Sequence, residues 1–247
     1  MFSFFRKRNT PAVDLSGIGT DMHSHLLPGI DDGSPDPETS VELTRGLMDI
    51  GFNKFIVTPH ILWDMYKNDH NTIHAAQSVL NKALVKDQLT TQIKAAAEYY
   101  MDDHLDELLE KQVPLLTIKS NWVLVEFSFV SPPLNLKEKL FDLQIHGYQP
   151  VLAHPERYQY FTGNKNWYDE LKSAGCYFQA NLLSFTGYYG RVTQDLATHL
   201  LRKNYIDLLG TDLHHARHLQ ALRTSASLND HVKELLDMGK LLNSSLL

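Results

Sequence analysis

The chain has 247 residues, 43% of them hydrophobic and 21% charged, and a formal net charge of −6. That length buries a large core and suits one α/β barrel or two smaller domains, and the charge argues against nucleic acid as a main partner. A single cysteine, Cys176, excludes an internal disulfide and suits the cytoplasm, and no apolar run approaches the ~18 to 20 residues of a membrane-spanning helix.

The opening Met1-Phe2-Ser3-Phe4-Phe5-Arg6-Lys7-Arg8 is apolar and then basic, the reverse of a secretory signal. Residues 1–18 are expected to form an N-terminal arm. Its tip suits a packed terminus, or weak contact with a membrane surface. Residues 19–247 are expected to form a single domain, since no Gly/Ser linker, low-complexity tract or repeat interrupts them.

Apolar runs predict strands at about 19–25, 52–60, 92–99, 122–127, 149–154, 177–183 and 206–212. Helical patterns lie between them at about 37–50, 72–87, 103–110, 136–146, 167–174 and 192–203, with a last helix at 218–238. Ser34-Pro35-Asp36-Pro37-Glu38 combines capping oxygens with prolines ahead of the first helix. Gly51, Gly147 and Gly175 each stand between a helix and a strand, where a left-handed C-cap is expected. Strands alternating with helices predict a parallel sheet. Seven strands fit a closed or nearly closed barrel, and an open doubly wound sheet satisfies the same alternation.

Imidazoles and carboxylates recur at the ends of these strands. The first run carries Asp21-Met22-His23-Ser24-His25, then Asp31-Asp32-Gly33. In an extended strand His23 and His25 point to one side and reach one metal, with Asp21 on that side as an orienting group. His60 closes Thr58-Pro59-His60, where proline stops the ladder. Glu98 follows Ala95-Ala96-Ala97 and Glu126 follows Val123-Leu124-Val125. A carboxylate at a buried strand end costs several kcal/mol unless it is paired or metal-bound. His154 leads His154-Pro155-Glu156-Arg157, and Asp212 and His214 repeat the alternate spacing of the first histidines.

These clusters give nine candidate ligands: His23, His25, Asp32, His60, Glu98, Glu126, His154, Asp212 and His214. A single zinc ion takes only ~4 ligands, so nine N/O donors without a thiolate point to two or three cations such as Mn²⁺, Fe or Zn²⁺. Such a site activates water and clamps both oxygens of a displacement. Arg157 and Arg217, and with less support Arg191, are the candidates for gripping a phosphate. Asp212 or a neighbouring histidine is the candidate for proton transfer. Cysteine phosphatases need an arginine six residues after the thiolate, and Leu182 stands there. Cys176 therefore reads as a small buried residue. His70, His74, His104, His146, His199 and His231 read as surface or packing residues. His215 and His218 read the same way, but lie near enough to the last motif to contact substrate.

The ordered set Asp-x-His-x-His, Thr-Pro-His, two isolated glutamates, His-Pro-Glu-Arg and Thr-Asp-x-His resembles the PHP (polymerase and histidinol phosphatase) superfamily. His23-Ser-His25-Leu-Leu-Pro-Gly-Ile-Asp-Asp-Gly33 and Ala153-His-Pro-Glu-Arg157 are similar to its bacterial tyrosine-phosphatase branch, encoded with capsule and exopolysaccharide machinery. The resemblance spans about residues 20–217. It implies an α/β, distorted (β/α)7 TIM-like barrel of the PHP fold with up to three metals, often manganese. His23, His25, Glu98 and Asp212 match one metal's ligands. Glu98 as a bridge, with Glu126 and His154, matches a second set, and Asp32, His60 and His214 a third. Arg157 and Arg217 match phosphate-binding arginines. Thr211 stands where the family commonly has serine. The implied function is a metal-dependent protein-tyrosine phosphatase. A metal-activated hydroxide would attack phosphotyrosine in a protein, such as the C-terminal tail of a bacterial tyrosine kinase. A small-molecule phosphomonoesterase, such as a histidinol-phosphatase-like enzyme, is the alternative within the superfamily, and a metal-stabilised binding module is the alternative outside catalysis.

Overall fold

The computed structural model of the protein describes residues 13–247. Among the described residues nine short strands pair in parallel. They are β1 (Thr20–Asp21), β2 (Lys54–Val57), β3 (His60–Ile61), β4 (Gln92–Ala95), β5 (Glu98–Tyr100), β6 (Trp122–Glu126), β7 (Gln149–Ala153), β8 (Tyr177–Asn181) and β9 (Leu208–Gly210). One sheet has the order β1-β2-β4 and the other β3-β5-β6-β7-β8-β9.

The two sheets derive from continuous apolar runs. β2 and β3 belong to one run, split at Thr58-Pro59 because proline has no N–H for the ladder. β4 and β5 belong to another, split at Ala96-Ala97. Hydrogen bonds cross both splits: Ala96 N–H donates to Val57 O at 2.9 Å and Glu98 N–H to Pro59 O at 3.1 Å. Beyond β9 the chain meets the segment that follows β1. Asp212 N–H donates to His23 O at 2.7 Å and His25 N–H to Leu213 O at 3.0 Å, around a parallel bridge between Ser24 and Leu213.

Eight helices accompany the strands among the described residues: α1 (Pro37–Met48), α2 (His70–Lys86), α3 (Asp103–Glu110), α4 (Leu136–Ile145), α5 (Asn166–Ser173), α6 (Arg191–Arg202), α7 (Ala216–Thr224) and α8 (Ser227–Asp237). Asp36 caps α1 by accepting from Thr39 N–H, with Pro37 at the first position. The single last helix expected at 218–238 is instead two. Ser225 leaves helical geometry at φ −94°, ψ 76°, and its hydroxyl bonds back to Ala221 O at 2.7 Å, the competition that breaks helices at serine. None of the described helices is long and apolar enough to cross a membrane.

Alternation along each strand divides the core. In β6, Val123 and Val125 face the helices, while Leu124 joins Met22, Ile56, Ala96, Val151, Ala153 and Leu208 in an inner cluster. Ile118 and Leu246 join that cluster too. Asn243, buried in the last 3₁₀ turn, ties this end together. Its amide donates to Thr20 O at 2.9 Å and Leu209 O at 2.7 Å, and its Oδ1 accepts from Leu209 N–H at 2.9 Å.

Residues 13–18, the part of the expected arm within the described residues, pack onto the fold. Val13, Leu15 and Ile18 are buried, and Leu15 N–H donates to Ile50 O at 2.7 Å. The basic tip, and with it the suggested surface contact, lies outside the described residues.

Asn243→Ala should lower unfolding free energy by on the order of 3 kcal/mol, because buried backbone groups lose their partners. Urea denaturation checks this. A loss under about 1 kcal/mol would show that the turn does not hold the strands together.

Candidate metal centre

The donor atoms gather where the strands end. His23 Nε2 lies 3.2 Å from Glu98 Oε2, 3.5 Å from Asp212 Oδ1 and 3.3 Å from His25 Nε2. His25 Nε2 lies 3.5 Å from that glutamate oxygen and 3.4 Å from that aspartate oxygen. Four donors ~2.1 Å from a common centre in a tetrahedron stand roughly 3.4 Å apart. The spacing therefore fits a divalent cation between them.

Two further donor sets adjoin this one. His154 Nε2 lies 3.1 Å from Glu98 Oε1 and 3.9 Å from Glu126 Oε2. Asp32 Oδ1 lies 3.5 Å from both His60 Nε2 and His214 Nε2. His60 Nδ1 stands 3.2 Å from Glu98 Oε2 and 3.1 Å from Glu126 Oε1, yet it is buried without an aligned hydrogen bond. Buried polar atoms are rarely left this way unless another ligand completes them. All nine predicted ligands are thus brought into one cluster of overlapping donor sets.

The charges are strongly coupled. Burial opposes ionisation of Glu98, but the imidazoles of His23 and His60 outweigh it and hold the carboxyl well below its usual range. Asp212 is likewise held low against burial, by His23 and His214. Burial disfavours the imidazolium of His60, yet Glu98 raises it to about 9. Protons on the histidines thus balance the carboxylates, and bound cations would take over that balance.

A layer of polar residues orients the ligands. His25 Nδ1–H donates to the buried Asp31 Oδ2 at 2.8 Å, leaving Nε2 for the donor set. His23 Nδ1–H donates to Gln179 Oε1 at 2.8 Å. Gln179 in turn donates to Asn181 Oδ1 at 2.9 Å, and Asn181 donates to Asp212 Oδ2 at 2.7 Å. One chain of hydrogen bonds thus links two ligands across β8. Gly33 and Gly210 make room for the histidines. A Cβ on Gly33 would stand 2.3 Å from His25 O, and one on Gly210 2.6 Å from His23 Cβ. His154 and Asp212 have positive φ, 34° and 50°, the kind of backbone strain found at functional sites.

The donors open into a cleft of about 240 Å³, lined also by Phe129, Arg157, Tyr189, His215 and His218. Arg157 Nη1 donates to Asp212 Oδ2 at 2.8 Å. His215 caps α7, accepting from His218 N–H, and the turn brings His218 into the cleft lining, while Arg217 is exposed next to it, with its charge acting on His215. Arg191 pairs with Asp195 at 3.0 Å on the surface. Asp21 is buried beside the donor set: its carboxylate accepts from the His23 backbone N–H at 3.4 Å, from Thr211 N–H at 2.9 Å and from the Thr211 hydroxyl at 2.6 Å. Cys176 is buried, which pushes its thiol up to about 12. The sequence reading missed Gln179, Asn181 and Phe129. For the two amides there was a signal, since polar residues at alternate positions of the buried run 177–181 require partners.

A family model described as "Capsular polysaccharide synthesis, CpsB/CapC" matches residues 19–242. The chain belongs to this family. It is 30% identical to the tyrosine-protein phosphatase YwqE of Bacillus subtilis, over 80% of this chain and 78% of that protein. It is 28% identical to the tyrosine-protein phosphatase CpsB of Streptococcus agalactiae, over 78% and 82%. A crystal structure from work on YwqE and on CpsB of Streptococcus pneumoniae, which describes them as metal-dependent tyrosine phosphatases, superposes with a TM-score of 0.79. The match has 28% identity and covers 92% of this chain and 90% of that one. An amidohydrolase from Mycoplasma synoviae, 13% identical with a TM-score of 0.53 over 95% of this chain and 86% of that one, shares the fold alone.

Mn²⁺ added to chelator-stripped protein should raise Tm by roughly 5–10 °C at ~100 times its dissociation constant. Glu98→Gln should lose most of that rise, because Glu98 touches the first two donor sets and His60 of the third. An undiminished rise in this variant would place the metal elsewhere.

Proposed function

We propose that this chain is a metal-dependent protein-tyrosine phosphatase that binds two or three divalent cations, Mn²⁺ foremost, on the nine ligands named above. The observation that carries the reading is the cage of His23, His25, Glu98 and Asp212 beside a guanidinium fixed at 2.8 Å on one of its carboxylates. N/O donors without a thiolate favour Mn²⁺, with Fe or Zn²⁺ as the other candidates. When bound, such cations supply Lewis acidity and a water acidic enough to act as nucleophile at neutral pH.

The chain's own residues do the rest. Arg157 uses one N–H on Asp212 and keeps its remaining donors for the phosphoryl oxygens of the substrate. Asp212 Oδ2 already accepts from Arg157 and Asn181. Its role is therefore to hold a cation and to position Arg157 rather than to carry a proton. Burial and the nearby His215 push His218 down to about 4, so this cleft residue is neutral at pH 7 and donates no charge. Arg157 is the arginine within the cleft lining, and the exposed Arg217, whose charge acts on the lining His215, is the second candidate for the phosphate. The strands, linked from β1 through β9 and back by the Ser24–Leu213 bridge, form a distorted seven-stranded TIM-like barrel in this reading. Residues 19–247, with 13–18 packed into the same core, act as its single domain. Membership in the capsule-synthesis family supports a phosphotyrosine protein as substrate, such as the tail of a tyrosine kinase in the cytoplasm.

Phosphate release from a tyrosine-phosphorylated peptide by stripped protein, with and without Mn²⁺, tests this directly. Release should require the metal and survive thiol alkylation, since Cys176 is buried and its thiol is pushed up to about 12. His154→Ala should lower turnover by at least about 100-fold, a typical cost for losing a group that organises the reacting centre, with the fold intact by circular dichroism. Release from histidinol phosphate or other small esters but not from the peptide would favour the small-molecule phosphomonoesterase. No release with any divalent metal would overturn the enzymatic reading.

A further inference from the structure

Phosphate recognition and aromatic surface meet at one side of the cleft. The Arg157 guanidinium carbon lies 4.7 Å from the centre of the Phe129 ring and 4.6 Å from that of Tyr189. With Nη1 bonded to Asp212, the group is oriented by two rings and one carboxylate before any ligand arrives.

The two rings differ in what else they face. Tyr189 is half-buried, meets Tyr188 edge-on at 5.1 Å and has a buried hydroxyl. Phe129 stacks on His154 at 5.5 Å and lies 5.6 Å from Tyr158, but remains 47% exposed. Val130 next to it is 88% exposed. An uncovered aromatic ring in the lining of an otherwise polar, ionised cleft is a place for an apolar part of the ligand.

We infer that Phe129 is a specificity-determining platform for the aryl group of the substrate, and that Tyr189 is a positioning residue for Arg157. The inference rests on the phosphatase reading above. A phosphoryl group at Arg157 carries its ester substituent past the Phe129 ring. A phenyl substituent presents a flat apolar face there, and aromatic pairs gain from offset or edge contacts at centroid distances of about 4.5–7 Å. A short alkyl ester, as in phosphoserine, has no such face. Phe129 therefore discriminates between the two esters, whereas Tyr189 acts equally on both through the guanidinium.

Calorimetric binding of phenylphosphonate and methylphosphonate to the metal-loaded protein tests this without turnover, since neither is hydrolysed. The wild type should prefer phenylphosphonate. Phe129→Leu should reduce the phenyl-to-methyl affinity ratio by about threefold to tenfold, the size of an aromatic pair contribution. Phe129→Trp, which restores an aromatic face, should keep the ratio, and Tyr189→Leu should weaken both ligands while leaving the ratio in place. Equal binding of the two phosphonates by the wild type, an unchanged ratio in Phe129→Leu, or a comparable fall of the phenyl-to-methyl ratio in Tyr189→Leu would overturn the assignment. Aryl preference in the wild type without hydrolysis of any phosphotyrosine peptide would leave the platform standing and remove the phosphatase reading instead.

Discussion

The structure depends on one electrostatic constraint: Glu98, Glu126, Asp31 and Asp212 are gathered with five histidines at the ends of apolar strands. Charges taken from water into such a place cost several kcal/mol each unless something answers them. Here each carboxylate is answered from several directions. Glu98 has His23 and His25 near one oxygen and His154 near the other. Asp212 has histidines on Oδ1, and Arg157 with Asn181 on Oδ2. No single partner is sufficient, so the cluster is assembled from seven different segments of the chain. The fold must bring those segments to one end.

That requirement explains the local irregularities. Strand pairing breaks at Pro59 and at Ala96-Ala97, and each break directly precedes a ligand, His60 or Glu98. His154 takes left-handed backbone angles directly after β7, and Asp212 does so two residues past the end of β9. Each deviation costs of order 1–3 kcal/mol by itself. They persist because the surrounding network over-determines them. Asp212 N–H donates to His23 O while its side chain is held by Arg157 and Asn181, and His154 N–H shares Gln179 Oε1 with the His23 ring. Backbone and side-chain bonds therefore demand the same conformation.

The main strands and the donor residues that the structure gathers were legible in the sequence because they obey local rules. Val123-Leu124-Val125-Glu126 announces both a strand and an anomaly at its end, and His23 and His25 advertise a shared face. What escaped depends on contacts between distant segments. Asp31 and Asp32 look alike in sequence, yet Asp31 is buried against His25 while Asp32 is half-exposed and faces His60 and His214. Gln179 reaches His23 across 156 positions, and Arg157 reaches Asp212 across 55. His218 follows the last donor motif by four positions, and only the turn capped by His215 brings it into the cleft lining. No local periodicity encodes any of these.

The two ends of the inner cluster divide the work. At one end Asn243 bonds Thr20 and Leu209, and Leu246 packs on the apolar interior formed by Met22, Ile56, Leu124 and Leu208. At the other end the charged donors face the cleft. The apolar layer between them keeps water from reaching the carboxylates from behind, and this strengthens every interaction within the donor cluster. The open side is bounded by Arg157 and the aromatic rings it lies over. That side is open to a ligand, with the guanidinium and the exposed Phe129 ring side by side. The same burial that makes the cluster costly thus leaves it one open face, and the proposed phosphate-ester site lies on that face.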